Sequence, residues 1–401
     1  MKKILLSAIT FLCAVHTSFA ADIYVNNSGQ PGTWSTITLA LAAAAPGDRV
    51  FVSPYGAYTE NLTIVQNVTL TSAVSGTVFN LVGTITVIGN ANMDVRIIGC
   101  EASGTITCNT GAATLTNKAN IYLSDCKFSS ITGNDFCVMH VLYCYGTPTI
   151  NIRHGEVRGC TQGLNTLTIA DGPNAGVGDT LYIVGNKIIS SLNWQNDDNY
   201  FFIANNLVTG VSTFSKHQYS TVVINKFLNN TFVSGSANAT ANITNAATIV
   251  FSTPSNRSNI EFWNCLVSNT NQTSASGYSV GWVTNNVGTM NSYYCWYDSP
   301  VLNITHVIES SAGGTGTAVI TYDAYGRGTD ANNAPDKGSP SIQFYDIDMT
   351  RNDRGTFGGP YSIDNYINTA NGKARVYDLN MPFEIWSGST PQVKAEATHI
   401  K

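Results

Sequence analysis

Short runs in which apolar and polar side chains alternate recur along the chain, and each ends in the same kind of corner. The pattern is apolar, any, apolar, two spacers, then Cys, Asn or Gly, any, apolar. It stands at Val95 to Ala102, Ile121 to Phe128, Ile150 to Val157, Leu181 to Ile188, Phe201 to Val208 and Ile260 to Val267, and with one weak apolar place each, Asn225 and Ser292, at Asn225 to Phe232 and Met290 to Tyr297. Alternation of period two gives a strand one inward and one outward face. The expected corners, at 100, 126, 155, 186, 206, 230, 265 and 295, are 26, 29, 31, 20, 24, 35 and 30 residues apart. Such gaps exclude a short rigid repeat and suit constant strands joined by loops of unequal length. A lone coil cannot bury its inner face, whereas stacked coils can. The sequence therefore predicts an all-β chain, a right-handed parallel β-helix of about ten to twelve coils.

Further strands precede the array at Arg49 to Val52, Leu62 to Ile64, Val68 to Leu70 and Thr84 to Val87. The open first edge needs a cover. Ser35 to Ala45, rich in Leu and Ala and stopped by Pro46-Gly47, is the expected N-terminal capping helix. In a stack of this kind Asn186, Asn206 and Asn230 would pass hydrogen bonds from coil to coil. Cys100 and Cys126 fall at equivalent places, as do Cys265 and Cys295. Each pair is within disulfide reach, and each could equally be stacked free thiols acting as small apolar groups.

Residues 1–20 have the form of a signal peptide: Lys2-Lys3, an apolar run from Ile4 to Val15, and small residues at Ser18 and Ala20. The expected layout is a leader at 1–20, a β-helix at 21–312, and a closing segment with a small C-terminal β-appendage at 313–401. No later stretch is apolar enough to span a membrane. Formal charge is −5, and only 11% of residues are charged. That balance disfavours nucleic acid, which selects a basic surface. Export permits disulfides, but no Cys-x-x-Cys occurs, which argues against a cysteine-held metal.

The stretch from Asp22 to Ile64 resembles the opening of pectin-lyase-like parallel β-helix proteins of the bacterial surface. The matching positions are Ile23 to Val25, Ser35 to Ala45, Pro46-Gly47-Asp48, Val50 to Val52 and Gly56-Ala57-Tyr58-Thr59-Glu60. Asp336 to Pro360, with its Gly-Ser-Pro and Asp-x-Asp strings, is similar to the closing segment of many such proteins. The resemblance implies the fold and a secreted or cell-surface setting. It implies no one activity, because the fold hosts lyases, hydrolases, esterases and non-catalytic proteins.

Hydrolases of this fold bring carboxylates from neighbouring coils together, and lyases need a base. Asp197-Asp198, between Trp194 and Tyr200, is the carboxylate candidate. Lys216 and His217 are candidate bases. Arg153, His154, Arg158 and Lys187 could form an anion-binding stripe. Trp194, Tyr200, Trp263, Trp282, Tyr293, Tyr294 and Trp296 are candidates for stacking on sugar rings. Asp346, Asp348 and Asp353 offer closely spaced oxygens suited to calcium, or else to side-chain-capped turns. The Arg-x-Lys string that follows the aspartate pair in polygalacturonases is absent. Low charge and the lack of a coherent catalytic set favour a protein that binds extracellular polysaccharide without cleaving it. A polysaccharide lyase or glycoside hydrolase is the alternative, and a structural or adhesive surface protein the second.

Overall fold

The structure is a computed structural model that describes residues 20–399 apart from 172–178, 197–198, 216–223, 235–246, 253–259, 271–277, 283–287, 299–300, 309–313, 316–320, 330–333, 368–373, 381–393 and the single residues 115, 303, 325 and 347. The leader expected at 1–20 lies almost wholly outside the described residues. The chain is nearly all-β and visits the same sheets in a repeating order. Sheet I has 13 strands, from Asp22–Val25 and Arg49–Val52 to Gly288–Tyr293 and Ile304–Ile308. Sheet II has 16 strands, beginning at Leu62–Ile64 and Ile85–Gly89. Sheet III joins Ala57–Tyr58, Phe79–Leu81 and Cys100–Ala102. Each strand pairs in parallel with its equivalent one coil on, the arrangement of a parallel β-helix, slightly longer than the repeat alone suggests.

Alternation fixes which side chains point inward. Val95, Ile121, Met139, Gly155, Leu181, Phe201, Asn225, Ile260 and Met290 fall in one interior column. Aromatic rings thicken this core toward its C-terminal half, where Phe227 stacks on Phe262 at 4.2 Å and meets Phe214 edge-on at 5.2 Å.

The cap forms as its motif suggests. Thr36 accepts the Leu39 amide at 3.2 Å and so N-caps the Ile37–Ala43 helix. The Glu60 carboxylate takes the next free amides, Ile37 at 2.8 Å and Thr38 at 2.9 Å. Asp48 accepts from the Ala21 and Ala45 amides, both at 2.7 Å, tying helix, turn and first strand together.

The corner column runs Cys100, Cys126, Cys144, Cys160, Asn186, Asn206, Asn230, Cys265, Cys295. The residue before each, from Gly99 through Asp125, Tyr143, Gly159, Gly185, Asn205, Asn229 and Asn264 to Tyr294, has a left-handed backbone with φ from 52° to 67°. Such a turn reverses the chain sharply, and Gly, Asn and Asp enter it at least cost. The expected corner at Gly155 is a correction. Gly155 opens the sheet I strand Gly155–Arg158, and a Cβ there would lie 2.0 Å from the Met139 carbonyl oxygen. The true corner follows at Cys160, and a whole strand with its own corner, Cys137–Leu142 and Cys144, comes before it.

The asparagines relay hydrogen bonds as anticipated. Asn206 Oδ1 accepts from the Asn186 amide at 2.9 Å and side chain at 3.0 Å, and Asn230 Oδ1 accepts both equivalent groups of Asn206 at 3.0 Å. The disulfide reading of Cys100, Cys126, Cys265 and Cys295 does not hold: all eight described cysteines are buried free thiols. The thiols of Cys108, Cys126, Cys137, Cys144, Cys160, Cys265 and Cys295 reach backbone carbonyls instead, as Cys126 reaches Ser124 at 3.1 Å. Burial pushes the Cys160 thiol up to about 12.

The closing segment docks on the outer edge of the corner row. Asn205 donates to the Thr356 and Gly358 carbonyls at 2.9 and 2.6 Å, and Asn229 to Asn352 and the Asp353 carbonyl at 2.7 and 2.8 Å. Asn264 accepts the Ser339 amide at 2.7 Å, and Arg354 donates to the Tyr294 carbonyl at 2.6 Å. The appendage is an antiparallel pair, Ala374–Asn380 with Lys394–His399.

Candidate functional site

The outer face of sheet I divides in two. Toward the C-terminal coils the closing segment covers it: Phe344 stacks on Trp263 at 4.9 Å, Trp263 on Tyr293 at 4.0 Å, and Tyr361 meets Phe202 at 5.5 Å. On the neighbouring sheet II strands, Trp296 packs beside Leu266 and Ala334 in the same way. Aromatics expected to face sugars are thus spent on the chain's own C-terminal segment.

One outward column carries Arg96, Tyr122, His140, Glu156 and Tyr182 on successive coils, with Arg158 beside it, and the cover starts at its far end, where Tyr366 of the closing segment packs near Tyr182 and Arg158. The Arg96 guanidinium lies 4.5 Å from the Tyr122 ring centre. Tyr122 and His140 are stacked at 4.2 Å and nearly coplanar at 7°. His140 Nδ1 meets Glu156 at 2.8 Å, and Arg158 binds the other carboxylate oxygen. Arg158 in turn lies 5.7 Å from the Tyr182 ring. Burial works against the Glu156 charge, but the His140 hydrogen bond and the Arg158 guanidinium outweigh it and hold the carboxyl down to about 2. All six side chains are half-buried, so ring edges, donors and acceptors reach solvent together. Rings beside fixed polar groups suit a neutral or weakly charged polyol.

A second constellation lies at the end of the sheet II strand Thr149–Ile152. Arg153 is ion-paired with Asp135. His154 is buried, and desolvation, with the Lys118 charge adding to it, lowers its pKa to about 4. The side-chain nitrogens of Asn196 and Asn199 donate to the Arg153 carbonyl at 3.4 and 2.9 Å, and Asn199 Nδ2 lies 3.3 Å from His154 Nδ1. These asparagines bracket Asp197 and Asp198, which themselves lie outside the described residues, as do Lys216 and His217.

The basic stripe does not form: Arg153 belongs to the end of sheet II, Arg158 to the outer face of sheet I, and Lys187 to the sheet II strand Lys187–Trp194. Trp194 is wholly interior, its indole donating to the Asn196 carbonyl at 2.7 Å, and Tyr200 is 8% exposed. Neither can stack on a ligand: Trp194 falls on the inward beat of its strand, and Tyr200, on the outward beat next to the interior Phe201, is nearly closed to solvent all the same. Asp346 accepts the Gly359 and Asp353 amides at 2.5 and 3.1 Å, Asp348 the Thr350 amide at 3.0 Å, and Asp353 the Asp336 amide at 2.8 Å. The three carboxylates therefore cap turns, and among the described residues no group of three or more His, Cys, Asp or Glu side chains is placed to hold a metal.

No family model matches the chain, and no characterised protein matches it in sequence. Among the described residues no helix is long and apolar enough to cross a membrane.

Proposed function

We propose that this is a secreted or cell-surface β-helix protein that binds an extracellular polysaccharide along the outer face of sheet I without cleaving it. The observation that carries the reading is the Arg96–Tyr122–His140–Glu156–Arg158–Tyr182 array. Coils rise about 4.8 Å each, close to the length of one sugar in an extended chain, so a glycan laid along the stack meets one rung per residue. The rings are held by cross-strand stacking and the charges by one another, so little ordering is required on binding. Affinity electrophoresis against a panel of plant, algal and bacterial polysaccharides is the test. Tyr122→Ala and Arg158→Ala should each weaken binding by about tenfold, roughly 1.4 kcal/mol. A panel with no retarded polysaccharide, or variants that bind as the parent does, would sink the proposal.

The Asn196–Asn199 bracket supports a second reading, glycosidic cleavage at the Arg153–His154 corner. Incubation with the same panel should then release new reducing or unsaturated ends, and Asp197→Asn with Asp198→Asn should abolish them. Binding with no new ends leaves the first reading alone.

A further inference from the structure

The outer face of sheet II differs in kind from that of sheet I. Thr63, Thr86, Thr107, Thr132, Asn151, Thr168, Asn193 and Thr213 fall opposite one another on consecutive strands. Two residues earlier a second rank runs Thr84, Thr105, Ser130, Thr149, Thr166, Ser191, with Thr105, Ser130 and Thr149 in direct register. Between the ranks Ile85, Ile106, Ile131, Ile150, Leu167 and Leu192 point inward and are fully buried. The result is a Thr-x-Thr lattice. Its rungs lie about 4.8 Å apart and its ranks about 6.6 Å apart, two residues of rise.

Three properties of this face restrict its ligand. No Asp, Glu, Lys or Arg stands in either rank, although the outer face of sheet I carries Asp22, Arg49, Arg96, Glu156 and Arg158. No aromatic ring stands there either, so the face lacks the stacking surface that sugar rings use. Among the described residues, the hydroxyls of Thr63, Thr86, Thr107, Thr132, Thr168 and Thr213 make no hydrogen bond within the chain, and all six side chains are at least partly open to solvent. A complementary surface is uncharged, offers donors and acceptors at every site, and repeats in two dimensions at the spacing of the ranks and rungs. Crystalline water meets all three conditions, since the oxygen lattice on the prism faces of hexagonal ice repeats at closely similar distances.

We propose that this face binds ice. Each threonine presents a methyl and a hydroxyl on a β-branched side chain with restricted χ1. The methyl groups hold neighbouring water in cages while the hydroxyls anchor it, so the first layer is already lattice-like. Each contact is weak, but one rigid sheet holds them all and no further ordering is needed when they engage together. The site is independent of the glycan face, which lies on the other sheet.

The test uses the purified full chain. Thermal hysteresis, inhibition of ice recrystallisation and partition into a growing ice hemisphere should all be positive. Thr107→Tyr with Thr132→Tyr, central in the first rank and pointing to solvent, should cut each by about tenfold or more. Far-ultraviolet circular dichroism and melting temperature should match the parent, and Thr107→Ser should keep partial activity. Tyr122→Ala should leave ice activity intact. Exclusion from ice, or undiminished activity in a folded double-tyrosine variant, would overturn the proposal. So would retention of the chain on crystalline cellulose or chitin through these threonines with no effect on ice.

Discussion

Asn206 shows how much one side chain carries in a stacked fold. It is fully buried, accepts from Asn186, and donates to the Ile183 and Ala204 carbonyls at 2.7 and 2.9 Å as well as to Asn230. Removing it leaves several interior groups unpaired, each costing about 1–3 kcal/mol. Asn206→Ala should therefore lower unfolding free energy in urea by about 3 kcal/mol or more. Asn206→Cys should cost less, because cysteine occupies this column at Cys160 and Cys265 with its thiol bonded to backbone. Asn186, Asn206 and Asn230 were readable as a column because identity, spacing and corner chemistry agree. Tyr122 and His140 were harder to find. Their importance lies in who their neighbours are one coil away, and the run Met139 to Gly146 that supplies His140 fits the repeat except at Gly146, which stands where an apolar residue is expected.

At the level of elements, local signals were the most legible. Thr36, Asp48 and Glu60 cap and tie groups within the same forty-residue opening, so motif and structure coincide. The coils between Cys126 and Asn186 were misread because Gly155 imitates a corner residue, whereas its lack of a side chain serves a close approach to Met139. The threonine triplets of sheet II are plain in the sequence but resemble ordinary exposed strand until the register lines them up. The docking of the closing segment was not legible at all, since Asn205, Asn229 and Asn264 bond partners far along the chain. That docking has a pH dependence of definite sign. Burial, with the Asp353 and Asp348 charges adding to it, raises Asp346 from 3.8 to about 6. Its ionisation therefore costs folded-state stability: the group imposes no penalty below about pH 4 and its full penalty above about pH 6. Asp346→Asn keeps an acceptor for the Gly359 amide and removes the charge. It should raise the melting temperature at pH 7 and leave it nearly unchanged at pH 4, as differential scanning calorimetry would show.

On the scale of the whole molecule, the two long sheets present unlike surfaces over the earlier coils, one charged and aromatic, the other neutral and repetitive, and the closing segment covers later coils of both. Stability rests on the interior columns and on no covalent cross-link among the described cysteines. Iodoacetamide should leave the eight described cysteines, Cys100 to Cys295, unmodified in the native protein and alkylate all eight in the urea-unfolded chain, counted peptide by peptide by mass spectrometry. Reductant should not move the melting temperature. The sulfur column has a further consequence for how the protein reaches its folded form. Cys100, Cys126, Cys144 and Cys160 become near neighbours only when their coils stack, and once stacked they are sealed from reagents. An oxidising compartment can act on them only during the interval before closure. Slow assembly would then be penalised by cross-linked, misregistered chains, and preparations refolded in air should yield less native protein than those refolded with a thiol present.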